Sequence, residues 1–468
     1  MHYTLAAAGN AALLLAAASP AVAQDASEAD QLRREVQELR KAVTALQARI
    51  ETFEAASTEK GEAPAAPPVI VMPAPASDTL IQMQFVSILP PRITMGDEQT
   101  GVARADTRPP PNDPNLRGFI SIPGTNTKIK IGGFAKVDAI YDFRPAGNPD
   151  QFVTSSIPIG AGKADNVNLD AGSTRFSLEA RRPSVLGPLR FYLENDFRGS
   201  GGNLAFRLRQ AHGQINNTYA GYGYSAFMDA DATPETLDSE GPGSEAFRRV
   251  VSIRQIAKLR EGLTATLSIE DPSSDLNLPS GLTAKQPMPD VVGALRLEGG
   301  WGHVQAAGLW RRVGYRGGGQ SDSAFGFGGN LTGLVKIYDD FLMAGVTYGD
   351  GIARYFNDLG GLGYDGVIEP DGKVHTLSAR GAYVGYTRHW SPHWRSNLVG
   401  GKLILKRDEF LPPTAFRSSV YGALNLIWVG SASFSAGIEA LYGRHKLQNG
   451  EDADATRLQA SLKYDFVR

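Results

Sequence analysis

The sequence predicts an all-β protein: a transmembrane antiparallel β-barrel of 16 strands, preceded by a short N-terminal coiled-coil helix. Three observations lead there. Long segments alternate apolar and polar residues with a period of two, which gives a strand two unlike faces. In "TKIKIGGFAKVDAIYDF" (127–143), Ile129, Ile131, Gly133, Ala135, Val137, Ala139 and Tyr141 share one face, and Lys128, Lys130, Lys136, Asp138 and Asp142 the other. Such segments number sixteen, beginning near 127, 173, 188, 204, 218, 249, 262, 290, 301, 323, 340, 374, 393, 416, 431 and 455. Connections after odd-numbered segments are mostly long and polar or Gly-rich (143–172, 229–248, 271–289, 350–373), whereas those after even-numbered ones are short, such as Pro183–Gly187, "EGGW", "YDD" and "HWSPH". An even strand number with long loops at one end and tight turns at the other marks an outer-membrane barrel. Closure is also what a bilayer requires, because every strand N–H and C=O must be paired.

Composition excludes the main rivals. With 53 Gly and 42% hydrophobic residues among 468, and few runs apolar on both faces, a soluble all-β stack would lack an adequate core. A net charge of -2 argues against a nucleic-acid partner. There is no cysteine, so disulfides and thiolate chemistry are absent. Beyond the N-terminus no apolar run reaches the roughly 18 residues of a membrane-spanning helix.

Residues 1–23 read as a signal peptide, with an apolar stretch around Leu13–Leu15 and Ala21-Val22-Ala23 as the small-x-small cleavage site. Residues 24–56 carry a heptad seam, Leu32, Val36, Leu39, Val43, Leu46, Ile50 and Phe53, flanked by charges, and read as a self-associating periplasmic helix. β-Branched a positions with mostly Leu at d favour two strands. Residues 57–117 are a Pro-rich linker, since Pro67, Pro68, Pro90, Pro91 and Pro109–Pro111 block helix and ladder alike. Residues 118–468 form the barrel domain.

Within the barrel the dyad recurs in "STRFSLEARR", "LRFYLENDFR", "LTATLSIE" and "RLQASLKYDF", while segments near 398–405 and 420–428 alternate poorly. Tyr338, Trp390, Trp394, Trp428, Tyr464 and Phe466 lie near expected strand ends, where an aromatic girdle belongs.

Four stretches carry a family resemblance. "FISIPGTNTKIKIGGFAKVDAIYDF", "FMDADATPETLDSEGP" (Phe227–Pro242), "IEDPSSDL" (Ile269–Leu276) and "VTYGDGIARYFNDLG" (Val346–Gly360) resemble, in that chain order, segments of the DcaP-like outer-membrane porins. The resemblance covers 119–468 and implies a homotrimer of sixteen-stranded barrels that takes up small anionic solutes such as dicarboxylates and aromatic acids. It also implies that the loop after the fifth strand folds into the lumen, with Asp229, Asp231, Glu235 and Asp238 facing or pairing with arginines. Tethering three helices to a trimeric barrel raises their effective concentration and can override the two-stranded preference of the heptad.

Over the first four strands the water-facing positions hold nine cations, Lys128, Lys130, Lys136, Arg175, Arg181, Arg190, Arg198, Arg207 and Arg209. Against them stand five acids, Asp138, Asp142, Glu179, Glu194 and Asp196. By the same parity Arg248, Arg254, Arg296, Arg311 and Arg380 face inward. The expected solute-binding lining is therefore Arg175, Arg181, Arg190, Arg207, Arg209, Arg254, Arg296, Arg311, Arg380, Lys130 and Lys136. Such a wall lowers the entry barrier for anions, and guanidinium forks suit carboxylates.

Other motifs lead nowhere. Asp229, Asp231 and Thr233 with Glu240 have calcium-loop spacing, but Pro234 stands where that loop needs glycine, which leaves only weak cation binding open. "GLGYDG" (361–366) has no helix after it, and His389 and His393 flank a Ser-Pro turn. No catalytic set, metal site or cofactor is read. The expectation is an outer-membrane porin in contact with outer-membrane lipid and lipopolysaccharide, anion-preferring, with a non-selective porin as the near alternative and a barrel enzyme or envelope anchor as distant ones.

Overall fold

The computed structural model describes Lys41, which is helical, and residues 118–467 except 164, 201–203 and 432. The expected signal peptide, the rest of the heptad helix and the Pro-rich linker lie outside the described residues. The strands are β1 (Lys128–Asp142), β2 in two halves (Asn166–Asp170 and Arg175–Arg182), β3 (Leu189–Asp196) and β4 (Arg207–Ile215). Next come β5 (Thr218–Tyr224), β6 (Arg249–Arg260), β7 (Leu263–Glu270), β8 (Asp290–Gly299), β9 (Gly302–Gly317) and β10 (Gln320–Ile337). The last six are β11 (Asp340–Asp350), β12 (Ser378–Ser391), β13 (Trp394–Leu405), β14 (Phe416–Ser431), β15 (Phe434–Leu447) and β16 (Asp452–Val467). Each pairs antiparallel with the next, and β1 pairs with β16 from Gly133↔Val467 to Asp142↔Arg457, which closes the sheet into a sixteen-stranded barrel without a free edge.

The two ends differ as the connection lengths imply. Tight turns such as Asn216–Asn217, Tyr338–Asp339 and Pro392–His393 join the strands at one end, with Asn216 (φ 48) and Tyr338 (φ 55) in the left-handed region that two-residue hairpins use. At the other end run 143–165, 225–248, 271–289 and 351–377. There β9 and β10 are joined by Gly318 (φ 57) and Gly319 (φ 79) alone, and β15 and β16 by 448–451. The first half of β2, Asn166–Asp170, continues the second strand into what reads as loop in the sequence, with the ladder interrupted around Gly172.

The outer surface is apolar at alternate positions, for example Val137, Ile253, Leu331, Val346, Leu398 and Ile438. Tyr338, Trp390, Trp394, Trp428, Tyr464 and Phe466 are exposed at the tight-turn end and form part of an interfacial girdle. Arg380 is a correction to the inward reading. It pairs with outward Tyr348 and with Ile404, while Ala379 and Tyr383 take the inward face, so Arg380 is exposed at the loop end. The polar-inward rule fails at this strand start because Leu377 and Ala379 take the inward face against the apolar residues of the connections, which leaves Ser378 and Arg380 on the outer face.

The inner wall is not uniformly polar. Phe152, Ile157 and Ala146 of the first long connection pack on Val399, Tyr421, Ala423 and Leu441. Phe227 and Ala246 of the 225–248 connection, with Ile352, Tyr355, Phe356 and Leu359 of the 351–377 connection, pack on Val292, Leu309, Leu403 and Leu405. Each large apolar side chain so buried contributes roughly 2 kcal/mol. Strands β13 and β14 alternate poorly in sequence because both faces are apolar, one toward lipid and one toward these loops.

Candidate pore-lining site

Strands β2 to β4 present a column of arginines. Arg181 and Arg190 both reach Glu179 Oε1, at 2.8 and 2.6 Å. Arg209 bridges Glu194 and Asp196, at 2.8 Å each, Arg207 reaches Asp196 at 2.6 Å, and Arg175 stands 3.8 Å from Glu194. A bulge makes this possible: Glu194 pairs with Gln210 and Asn195 with Leu208, so Arg209 is an extra residue and faces inward beside Gln210. Five guanidinium groups thus share three carboxylates, and this wall keeps a positive excess. Lys130 lies opposite Glu179 in register, and Lys136 pairs with Asp138 at 2.7 Å.

Next to the column the wall carries a row of rings and cations. Arg190 lies over Tyr192, Tyr192 meets His212 at 5.5 Å, His212 meets Tyr219 at 4.6 Å, and Arg254 lies over Tyr219 at 4.7 Å. Gly221 (φ 143) keeps the backbone open beside His212, since a Cβ there would sit 2.4 Å from the Ala211 carbonyl.

The 225–248 connection crosses the barrel interior and is tied to the far wall. Asp229 accepts from Arg296 (3.1 Å) and Thr332 (2.8 Å) and lies 2.9 Å from His303 Nε2, while Asp231 pairs with Arg296 at 2.7 Å. Glu235 takes a two-pronged Arg395. The Leu237 and Asp238 amides donate to Glu439, and Lys136 Nζ donates to the Leu237 carbonyl. Asp238 accepts the amides of Phe152, Glu240 and Gly241. Asp229, Asp231 and Glu235 therefore meet arginines of β8 and β13, Asp238 meets backbone amides, and the β2–β4 arginines pair with carboxylates of their own wall.

Charge in the loop follows burial and partners. Burial alone would raise the Asp229 and Glu235 carboxyls, but His303 and Arg296 for the first, and Arg395 for the second, outweigh it and hold both below the usual range. Burial pushes Glu240 up to about 8, with Asp358 and Asp238 adding to the rise and Arg207 and Arg198 opposing it. Glu245 is likewise pushed up to about 8 by burial, although the Thr233 hydroxyl donates to it. Asp358, from 351–377, is raised to about 6 by burial, while Thr154 Oγ1 and the Ser155 amide, both from 143–165, donate to it. The Asp358 amide in turn donates to the Gly243 carbonyl, so three connections meet at one carboxyl cluster.

The sequence matches the Porin_2 model, a porin subfamily, over residues 117–468. The chain belongs to that family. Its fold is that of the outer-membrane channel DcaP of Acinetobacter baumannii, with a TM-score of 0.68 and 22% identity over 74% of this chain and 99% of that one. An anion-selective porin from Comamonas acidovorans also matches, with a TM-score of 0.49 and 12% identity over 73% of this chain and 100% of that one. Comparison with functionally curated proteins gives no match. Family and fold are those of an outer-membrane porin, in keeping with the resemblance the four sequence stretches carry.

The remaining sequence-derived positions in this porin have other surroundings. Arg311 is wholly enclosed: it reaches Asp290 (3.3 Å), Asp365 (2.9 Å) and the Gly351 carbonyl (2.7 Å), and its side chain is 0% exposed. It fastens 351–377 to the wall and offers no free surface to a solute. Arg254 donates to Ser252 Oγ and to the Tyr224 carbonyl behind the ring row. Among the described residues no group of three His, Asp or Glu side chains is arranged to hold a metal ion. Sequence reasoning missed Arg395, Glu439 and the enclosed Arg457–Asp142 pair at 2.6 Å. Glu439 could have been found as the one acid of its strand, at an inward position among the small and apolar residues Ser435 to Tyr442; Arg395, at a turn, gives no such signal.

Proposed function

We propose that this porin gives passive diffusion to small hydrophilic solutes with a preference for anions, dicarboxylates and aromatic acids among them, working as a homotrimer with its N-terminal extension in the periplasm. The observation that carries the reading is the column of five arginines over three carboxylates on β2–β4. A solute carboxylate replaces one wall carboxylate at a time, so each contact formed compensates one released and binding stays weak enough for exit. Tyr192, His212 and Tyr219 are themselves buried and pack as a stiff backing beside the column, so the reading rests on the arginines. The 225–248 loop, with Asp229, Asp231, Glu235 and Asp238 holding it across the interior, sets the width of the path in this reading.

The test is single-channel current in the presence of succinate against its neutral diamide. Block by the dicarboxylate and none by the diamide is expected; equal behaviour of the two would end the anion reading. A general porin of little selectivity is the second reading, favoured by the fact that each arginine of the column already faces a protein carboxylate.

A further inference from the structure

We infer that the outer face of β12–β15 at the loop end is a binding site for a phosphate-bearing glycolipid of the surrounding membrane leaflet. Strand register places two rungs side by side on this outward face: Arg380–Ile404–Ser418–Lys446, and below it Ala382–Lys402–Val420–Arg444. Four of these eight positions are cationic and none is acidic. Arg417, the extra residue of a bulge between Phe416 and Ser418, donates to the Leu405 carbonyl and so lies next to Lys406 and Arg407 where the chain leaves β13. Arg380, Lys402, Arg417 and Lys446 enter no ion pair among the described residues. The nearest acids on the neighbouring strand are already engaged, Asp452 by Arg444 and Asp454 by Arg144, and Asp408 lies 3.1 Å from His375. Asp350 accepts from the Ser378 hydroxyl.

The next rung down is Val384–Gly400–Gly422–Tyr442, and below it comes Tyr386–Leu398–Leu424–Ala440. A Cβ on Gly400 would meet nothing within 4 Å, and one on Gly422 only the Tyr442 carbonyl at 3.9 Å. The two glycines leave a shallow channel between Val384 and Tyr442, opening onto the lipid-facing leucines. Cations above an apolar groove match one kind of occupant, an amphiphile with phosphate on its head and acyl chains below it. Adjacent strands lie about 4.8 Å apart, so Arg380 and Lys446 span roughly 14 Å, wide enough for a disaccharide head with two phosphates. This inference rests on the barrel and its membrane, and stands whatever the pore selects.

The experiment is equilibrium binding of bisphosphorylated lipid A to the purified full-length protein in detergent, beside the dephosphorylated lipid and millimolar inorganic phosphate. The site predicts at least tenfold weaker binding of the dephosphorylated lipid and little displacement by inorganic phosphate. It also predicts at least a tenfold loss in R380A/K402A/R417A/K446A, a loss in G400L/G422L with the head contacts intact, and wild-type binding in R182A/K336A at the tight-turn end. Heat-modifiable gel mobility checks that each variant is folded. Unchanged lipid binding in the folded quadruple variant would overturn the inference. Displacement by inorganic phosphate alone would reduce the site to an anion patch, and altered oligomer size with unchanged lipid binding would make the face a subunit contact; either result also overturns it.

Discussion

Arg395 holds Glu235 with two parallel hydrogen bonds, Nε to Oε2 at 2.7 Å and Nη2 to Oε1 at 2.6 Å, and so joins the inward loop to β13 across the barrel interior. A charge-assisted fork of this kind contributes about 2 kcal/mol. Arg395→Ala should therefore loosen the loop without unfolding the barrel, giving noisier single-channel current at nearly wild-type gel mobility. Removing Asp231–Ser244 altogether should raise conductance and blunt dicarboxylate block. Unchanged conductance and block after that deletion would place the width-setting segment elsewhere.

The carboxyl cluster makes the loop arrangement proton-linked. Glu240 has a folded-state value of about 8 against an ordinary 4.5, so between these values the folded arrangement binds more protons than the unfolded chain. Its contribution is fully present below about pH 4.5 and is lost as pH rises through about 8. Glu245 acts in the same direction. Conductance should accordingly step upward or become unsteady between pH 7 and 9, and E240Q/E245Q should remove the step. A flat profile over that range in the wild type would contradict the linkage.

Column arginines and fastening arginines should separate in their effects. Arg207→Ala or Arg209→Ala removes one of the excess charges and should weaken dicarboxylate block about tenfold, equivalent to roughly 1.4 kcal/mol, with conductance little changed. Arg311→Ala leaves Asp365 enclosed without its cation and Asp290 with only Arg354 at 3.9 Å, and should lower the temperature at which the folded gel band is lost. Loss of block in R311A at unchanged stability would invert these assignments.

Strand count and the unequal ends were legible because the bilayer imposes a simple demand: apolar residues at every second position, and short turns on one side. That demand fails where a second apolar surface is present. Val399, Tyr421 and Leu441 face the lumen and are apolar because Phe152 and Ile157 pack on them, a contact between segments more than two hundred residues apart. Ion-pair partners were illegible for a related reason. Which arginine meets Asp229 or Glu235 depends on how far the loop reaches across the closed barrel, and neither Arg296 nor Arg395 is near the loop in sequence. The resemblance implies only that the loop acids face or pair with arginines, and it is the fold that selects Arg296 of β8 for Asp229 and Asp231 and Arg395 of β13 for Glu235. Arg380 shows the smallest failure, a strand start where Leu377 and Ala379 take the inward face.

All sixteen strands lie after residue 118, so deletion of 25–117 should leave a folded, conducting barrel. Gel mobility with and without heating, together with bilayer conductance, reads this directly. Loss of the heat-modifiable band would show that the extension is needed for folding.

The central claim is that a positive excess on the β2–β4 wall selects anions, and the zero-current potential across a tenfold KCl gradient in dilute salt tests it most directly. The account predicts a potential displaced toward the chloride equilibrium value, shrinking as salt screens the wall and shrinking again in R207A/R209A. A potential at zero or displaced toward the potassium value would contradict it.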